Sequence, residues 1–548
     1  MFWKTLSAPL VHAARSLFFS RRRARLLRDY GRPPGIHYFD GDMENIRTYF
    51  DYRKANKYDA FLLDDITWND LSMDAVFKRI NAGLTTSGEQ YLYYILRSPA
   101  VDAQTFDKRL RLIAFMEANP ELRLKMQLIF SKLGRSRKAD VCRTFNPARR
   151  GYKRLLLYVL LVAALLGCAA GLLFTTKALP FLVCFGLVNC LLHTVLKGKM
   201  ERELATINYS VSMISAAHKI EKLHPEPLDD MLSPLYRALE KLKSVLRMGG
   251  LSFRSSDPVT EMVRSLFLAD LIAYEYLKNK FWRCREELFT IHEYLGLLDA
   301  SIAVASYRES VKAYAVPRID FSGAAKAVYH AAELRHPLIE NPVSNSLTAE
   351  SSALVTGSNA SGKSTFLKTV ALNAIFAQSI CTALCKTYSA GAFYIFSSMA
   401  LTDDLQSGDS YYIAEIKSLK RIVDFTQSGK TVLCVIDEVL RGTNTVERIA
   451  ASSEILSCLA RPSVLCIAAT HDIELCALLD GDYTLYHFQE QIDGNEMFFD
   501  YKLREGAAAT RNAIQLLKIM GLDASLVLRA ENRAARYLET GTWEPQRR

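Results

Sequence analysis

Residues 153–176, KRLLLYVLLVAALLGCAAGLLFTT, carry no charge after Arg154. Such a run must be covered by protein or by lipid, because a helix apolar on every side has no face to give to water. Leu155 to Thr175 are 21 uncharged, mostly apolar residues. At about 1.5 Å per residue they match a bilayer core of about 30 Å. After TKALP a second run, Phe181 to Leu196, carries Asn189 and His193, and counted from Ala178 it reaches 19 residues. The alternative is a buried helical hairpin of a large soluble core. Two adjacent uncharged runs with so short a polar link favour a transmembrane hairpin over residues 151–197, meeting the membrane through 155–196. RSRKADVCRTFNPARRGYKR precedes the first run and KGKMER follows the second, while the link holds only Lys177. Retention of positive charge on the cytoplasmic side puts both long flanks inside and the link outside. The reading is a cytoplasmic (inner) membrane protein of two spans, with Asn189 and His193 facing the partner helix or lying near the interface.

The remainder reads as globular. With 548 residues the chain exceeds one core, and 50% apolar with 23% charged residues is ordinary soluble composition. The net charge of +11 is local: residues 1–30 hold seven Lys/Arg against Asp29, and residues 131–154 hold nine against Asp140. Nucleic-acid affinity carried by a basic groove would need that charge elsewhere. The basic residues at 1–35 suit either anionic lipid or a solvated arm. The eleven cysteines include no CxxC pair, so they read as buried thiols of a reducing compartment, with no structural metal.

The last third carries the chemistry. ALVTGSNASGKSTFLKTVALNAIFAQ passes from an apolar strand through a glycine loop into a helix. It fits G-x-x-x-x-G-K-S at Gly357 to Ser364. In such a loop the backbone N–H groups of Gly357, Ser358, Asn359, Ala360, Ser361, Gly362, Lys363, Ser364 and Thr365 surround the phosphates of ATP. Lys363 reaches the β and γ oxygens and Ser364 ligates Mg²⁺. KTVLCVIDEVLRGTNT supplies an unbroken apolar strand ending in Asp437 and Glu438, the first placed for Mg²⁺ and the second as general base. A third apolar strand, SVLCIAATHD, ends at His471, where a side chain can sense the γ-phosphate.

Taken in order, these motifs resemble those of the MutS family of mismatch-repair ATPases, within the ABC-type superfamily. ELRHPLIE (Glu333 to Glu340), TGSNASGKST with Asn359, TDDLQSGDSYYIAEI, IDEVLRGTNTVE and ATHDIEL follow the family's sequence of elements, with Tyr412 where Phe is usual. The resemblance implies that Ser410 reaches across a dimer to the partner's γ-phosphate, with Glu415 supporting that segment. It also implies that RNAIQLLKIMGLDASLVLRAENRAARY forms a C-terminal helix-turn-helix completing the dimer contact. FLLDDITWNDLSMDAVFKRINAGLTTSGEQYLYYILRSP is weakly similar to the opening of the family's helical core, keeping Gly88 but not the usual Arg and Trp. The family's mismatch-reading and connector domains are expected to be missing. Phe115-Met116-Glu117 matches the letters of the mismatch wedge but falls inside an amphipathic helix, so a core role is expected for it.

The expected fold is an α/β P-loop ATPase domain of ABC/MutS type, preceded by an all-α core and lever region that the transmembrane hairpin interrupts. Its parts are a basic arm (1–35), helical core (36–150), hairpin (151–197), further core and lever helices (198–320) with a reduced or absent DNA clamp, ATPase domain (321–509) and dimerisation segment (510–548). The expected function is ATP binding and hydrolysis at two composite sites of a homodimer, coupled by resemblance to DNA in repair or recombination, with the ATPase domain in the cytoplasm. The rival is a membrane-tethered, ATP-switched scaffold acting on a protein without DNA. A transporter is disfavoured, since two spans per chain give only four per dimer.

Overall fold

The computed structural model describes residues 20–142, 153–248 and 258–543, apart from 312, 324–325, 359–360, 400–410, 442, 494–495, 508–513, 515–516 and 518–520. A helical N-terminal region is followed by a mixed α/β domain. The chain divides into two compact units, one of residues 1–60, 80–95 and 111–310, the other of 61–79, 96–110 and 311–548.

The described residues of the first unit form helices and no strand. Its central helix, Arg285–Val311, is apolar and long enough to cross a membrane by composition, yet it is largely buried within the protein. Two glycines set how closely it is approached. A Cβ on Gly296 would lie 2.6 Å from the Ser87 carbonyl oxygen, and one on Gly88 would overlap the Asp299 carboxylate. That carboxylate accepts from the backbone N–H of Leu84 (2.9 Å) and Thr85 (2.8 Å) and from the Thr85 hydroxyl (2.7 Å), tying the start of the Thr86–Arg97 helix to the central one. Gly88→Ala is therefore expected to destabilise the helical unit by about 2–4 kcal/mol, since the carboxylate cannot move without leaving buried donors unpaired. Thermal unfolding monitored by far-UV circular dichroism checks this.

Part of the basic N-terminal segment is docked in this unit. Residues 20–29 are helical, Leu26 is buried with Leu124 and Leu128, and the Gly31 N–H donates to the Ser306 hydroxyl at 3.0 Å. Phe115, Met116 and Glu117 lie in the Ala103–Ala118 helix. Met116 is fully buried and Glu117 pairs with buried Arg308 at 3.2 Å, as a core reading of this triplet requires.

The two apolar runs form helices Lys153–Gly171 and Leu179–Lys199, with a single 3₁₀ turn between them. Both are barely covered by protein, and Leu173 and Phe174 at their tip are almost fully exposed. Asn189 and His193 find polar partners outside the hairpin. His193 is buried and its Nε2 lies 3.1 Å from Asp270 of the Ala269–Arg283 helix, while Asn189 donates to the Leu266 carbonyl at 2.9 Å. These partners lie some 77 residues away in sequence, which is why local pattern could not name them.

The second unit holds two sheets. Strands β1 (Arg318–Asp320), β2 (Tyr329–Leu334), β3 (Asn345–Ala349) and β5 (Thr387–Gly391) pair in the order β1-β5-β2-β3. The larger sheet, in the order β10-β9-β4-β8-β7-β6, contains β4 (Ala353–Thr356), β6 (Tyr394–Ser398), β7 (Val432–Asp437), β8 (Val464–Thr470), β9 (Thr484–Asp493) and β10 (Glu496–Glu505). All its pairings are parallel except β9 with β10. Strands β4, β7 and β8 are buried at every position, as continuous apolar runs in a covered parallel sheet must be. The segments 61–79 and 96–110 also belong here. Asp70 accepts from the Ser397 hydroxyl (2.6 Å) and the Met399 N–H (3.1 Å), and buried Arg109 donates to the Gln378 carbonyl at 3.2 Å.

Candidate nucleotide-binding site

The parallel register brings the predicted residues to one edge of the larger sheet. Thr356 of β4 stands beside Thr470 of β8, and Asp437 of β7 beside Ala469. The residues that follow, Gly357, His471 and Glu438, therefore emerge together at the carboxyl ends of neighbouring strands, where open α/β sheets bind ligands.

Gly357 leaves β4 with φ +145°, and a Cβ there would sit 2.7 Å from the Phe488 carbonyl oxygen. Gly362 has φ +104° and is the residue before the Lys363–Ser379 helix. Both positions need glycine. The loop thus delivers a helix N-terminus, with Ser364 and Thr365 in its first turn, into a cavity of about 780 Å³. Ser358 and Ser361 line the same cavity. Ser358 donates to buried Glu490 at 2.9 Å, and the buried Ser361 hydroxyl has no hydrogen-bond partner among the described residues. Asn359, Ala360 and Ser410 lie outside the described residues.

Lys363 is buried, and its ammonium donates to the carbonyls of Gly357 (2.8 Å) and Ser358 (2.9 Å), with His471 Nε2 at 3.3 Å. Burial pushes its pKa down to about 8, partly opposed by the carboxylates of Glu438 and Asp437. Below that pH the amine is charged and ready for phosphate; above it, binding must first take up a proton. ATP affinity is therefore expected to weaken as pH rises beyond about 8, by up to about tenfold per unit. Titration calorimetry between pH 7 and 10 checks the sign.

Asp437 is buried at the end of β7. Glu438 adopts φ +59° and its N–H donates to the Ala469 carbonyl at 2.9 Å, so the neighbouring strand holds the turn. Its carboxylate lies 2.9 Å from His471 Nε2 and 2.5 Å from Arg441 Nε. Burial alone would raise the Glu438 pKa, but the hydrogen bond with His471 and the charges of Arg441, His471 and Lys363 outweigh it, leaving the carboxyl below its usual range. It is an anion at neutral pH, as a base must be. Glu415, at the start of the Tyr411–Thr426 helix, accepts the Leu440 N–H at 2.6 Å and so braces the same turn.

Two contributors escaped the sequence reading. Arg441 is the direct counter-ion of Glu438, though as the arginine of an R-G-T string it offered no local sign of that role. Tyr501 lines the cavity and stands 3.1 Å from where a Gly362 Cβ would be. Its carbonyl accepts from Asn345 at 2.9 Å. It lies over a hundred residues from the loop, in an unremarkable β10.

Residues 353–538 match the family model described as MutS domain V. The chain is 33% identical over 193 residues to the DNA mismatch repair protein MutS of Rickettsia akari (strain Hartford), a stretch covering 34% of this chain and 22% of that protein. The same coverage and identity hold for the protein so named in Rickettsia felis. For Rickettsia africae the identity is 32%. The chain thus spans about a fifth of the length of the curated relatives it matches. These likenesses fall on the region that holds the strand-end cluster and make it similar to MutS domain V.

Proposed function

We propose that the chain is a MutS-related, Mg²⁺-dependent ATPase, dimeric through its nucleotide sites, held in a cytoplasmic membrane by the 155–196 hairpin and coupled to DNA in repair or recombination. The observation that carries the ATPase reading is the meeting of Lys363, Asp437, Glu438 and His471 at one end of the parallel sheet, beneath a loop whose Gly357 has no room for a Cβ. The unpartnered Ser361 hydroxyl and the loop carbonyls engaged by Lys363 fit a site built for a nucleotide phosphate. Ser364 and Asp437 would hold Mg²⁺, which neutralises phosphate charge. Glu438 takes the proton of the attacking water, His471 orients that carboxylate and faces the terminal phosphate, and Lys363 binds the β and γ oxygens. Ser410 would reach the phosphate of the partner subunit. Dimerisation is further supported by the Ala524–Thr540 helix, which leaves Leu526, Leu528 and Tyr537 exposed.

The membrane reading draws support from two adjacent apolar helices that the protein leaves almost bare. Exposed apolar area on that scale is stable only against lipid or another chain. Two spans with basic flanks would keep the ATPase domain in the cytoplasm. The deciding experiment is the ATPase rate of detergent-purified protein with and without duplex, branched and mismatched DNA. Stimulation that fades with added salt supports coupling to DNA. A DNA-indifferent rate would instead favour an ATP-switched scaffold acting on a protein partner.

A further inference from the structure

The short Pro258–Leu266 helix is inside-out. Its apolar residues Val259, Met262 and Val263 are 68%, 65% and 46% exposed, whereas its arginine, Arg264, is buried at 9%. Spacing of i, i+3, i+4 puts the three apolar residues on one stripe. Water selects the opposite arrangement.

This helix lies along the second hairpin helix. Lys197 pairs with Glu261, Cys190 Sγ is 3.5 Å from the Ser265 hydroxyl, and Asn189 donates to the Leu266 carbonyl at 2.9 Å. A Cβ on Gly186 would lie 3.3 Å from Leu266 Cδ1. From Lys197 to Asn189 the hairpin helix advances about 12 Å, at about 1.5 Å per residue. If the bilayer began only beyond Asn189, residues 179–188 would remain, about 15 Å of helix against a core of about 30 Å. A hairpin that crosses must therefore carry the Leu266 turn in with it.

We propose that residues 258–270 form a third, re-entrant membrane element whose Val259–Met262–Val263 stripe faces lipid acyl chains. The proposal rests on the reading that the hairpin crosses the bilayer. Its charged groups are paired, and Arg264 and Asp270 are buried, while Thr260 alone among its polar residues is exposed. Arg264 meets Asp270 at 2.5 Å, Asp270 meets His193 at 3.1 Å, and the Ser265 hydroxyl donates to the Met262 carbonyl at 2.9 Å. Charges at membrane depth are tolerated when paired and turned to the protein interior, and a helix end there needs its carbonyls met. Asn189, otherwise an anomaly in an apolar run, meets the Leu266 carbonyl.

The test uses the full chain in phospholipid vesicles with plain or acyl-brominated lipids, which quench only indoles at acyl depth. Met262→Trp, Leu187→Trp on the hairpin and Leu338→Trp on the ATPase unit each add one indole to the four native ones. The added emission of Met262→Trp should be lost in brominated vesicles to the same extent as that of Leu187→Trp, while that of Leu338→Trp should persist. Val259→Trp repeats the measurement should Met262→Trp misfold. If Met262→Trp and Val259→Trp behave like Leu338→Trp while Leu187→Trp is quenched, the re-entrant element is disproved and the hairpin stands. If Leu187→Trp is also unquenched, the crossing itself fails and takes this inference with it.

Discussion

Glu438→Gln should bind ATP as tightly as the parent chain and hydrolyse it about 10²- to 10⁴-fold more slowly, the usual contribution of a general base. The substitution keeps the size of the side chain but removes the charge that His471 and Arg441 hold at 2.9 and 2.5 Å. With hydrolysis blocked, the ATP-bound dimer should accumulate. Binding should survive, because the phosphate-holding groups, Lys363 and the helix N-terminus behind Gly362, are untouched. Lys363→Ala should do the opposite and abolish binding. Single-turnover hydrolysis and size-exclusion with ATP read both steps; a normal rate for Glu438→Gln would remove Glu438 from the base role.

The double variant Leu160→Arg/Leu187→Arg should abolish membrane integration. Both side chains are more than half exposed on the bare hairpin helices. A central arginine costs about 2.5–3.5 kcal/mol on insertion scales, so two together shift the equilibrium by about four orders of magnitude. Since neither residue is packed in the helical unit, the fold itself should persist. Carbonate extraction of membranes separates the outcomes: the parent chain stays in the pellet and the variant is released. Retention of the variant would mean that the hairpin is not what holds the chain.

The parts legible in sequence were those whose physics is local. The glycine loop, the apolar strands ending in Asp437-Glu438 and His471, and the two uncharged runs each declare themselves within some twenty residues. What stayed hidden depends on pairing between distant segments. The carboxylate of Asp299 fixes a helix start over two hundred residues away. Residues 61–79 read as part of the helical core, but Asp70 is tied to β6 and its exit by Ser397 and Met399. The Pro258–Leu266 helix is nine residues long, too short for its stripe to be told from that of a buried helix by period alone.

The turn after β7 holds both Glu438 and Leu440 in left-handed backbone, each at φ +59°. Neither is a glycine, so each is strained by about 1–2 kcal/mol. Two hydrogen bonds keep the turn in place, one from the Glu438 N–H to β8 and one from the Leu440 N–H to Glu415. The turn is thus a sprung catch. Glu415 belongs to the Tyr411–Thr426 helix, so, with Glu438 as the proposed base, a small displacement of that helix would release the catch and carry the base out of line. On that reading the strain of two residues gates water attack, with no need to move any group proposed to hold phosphate.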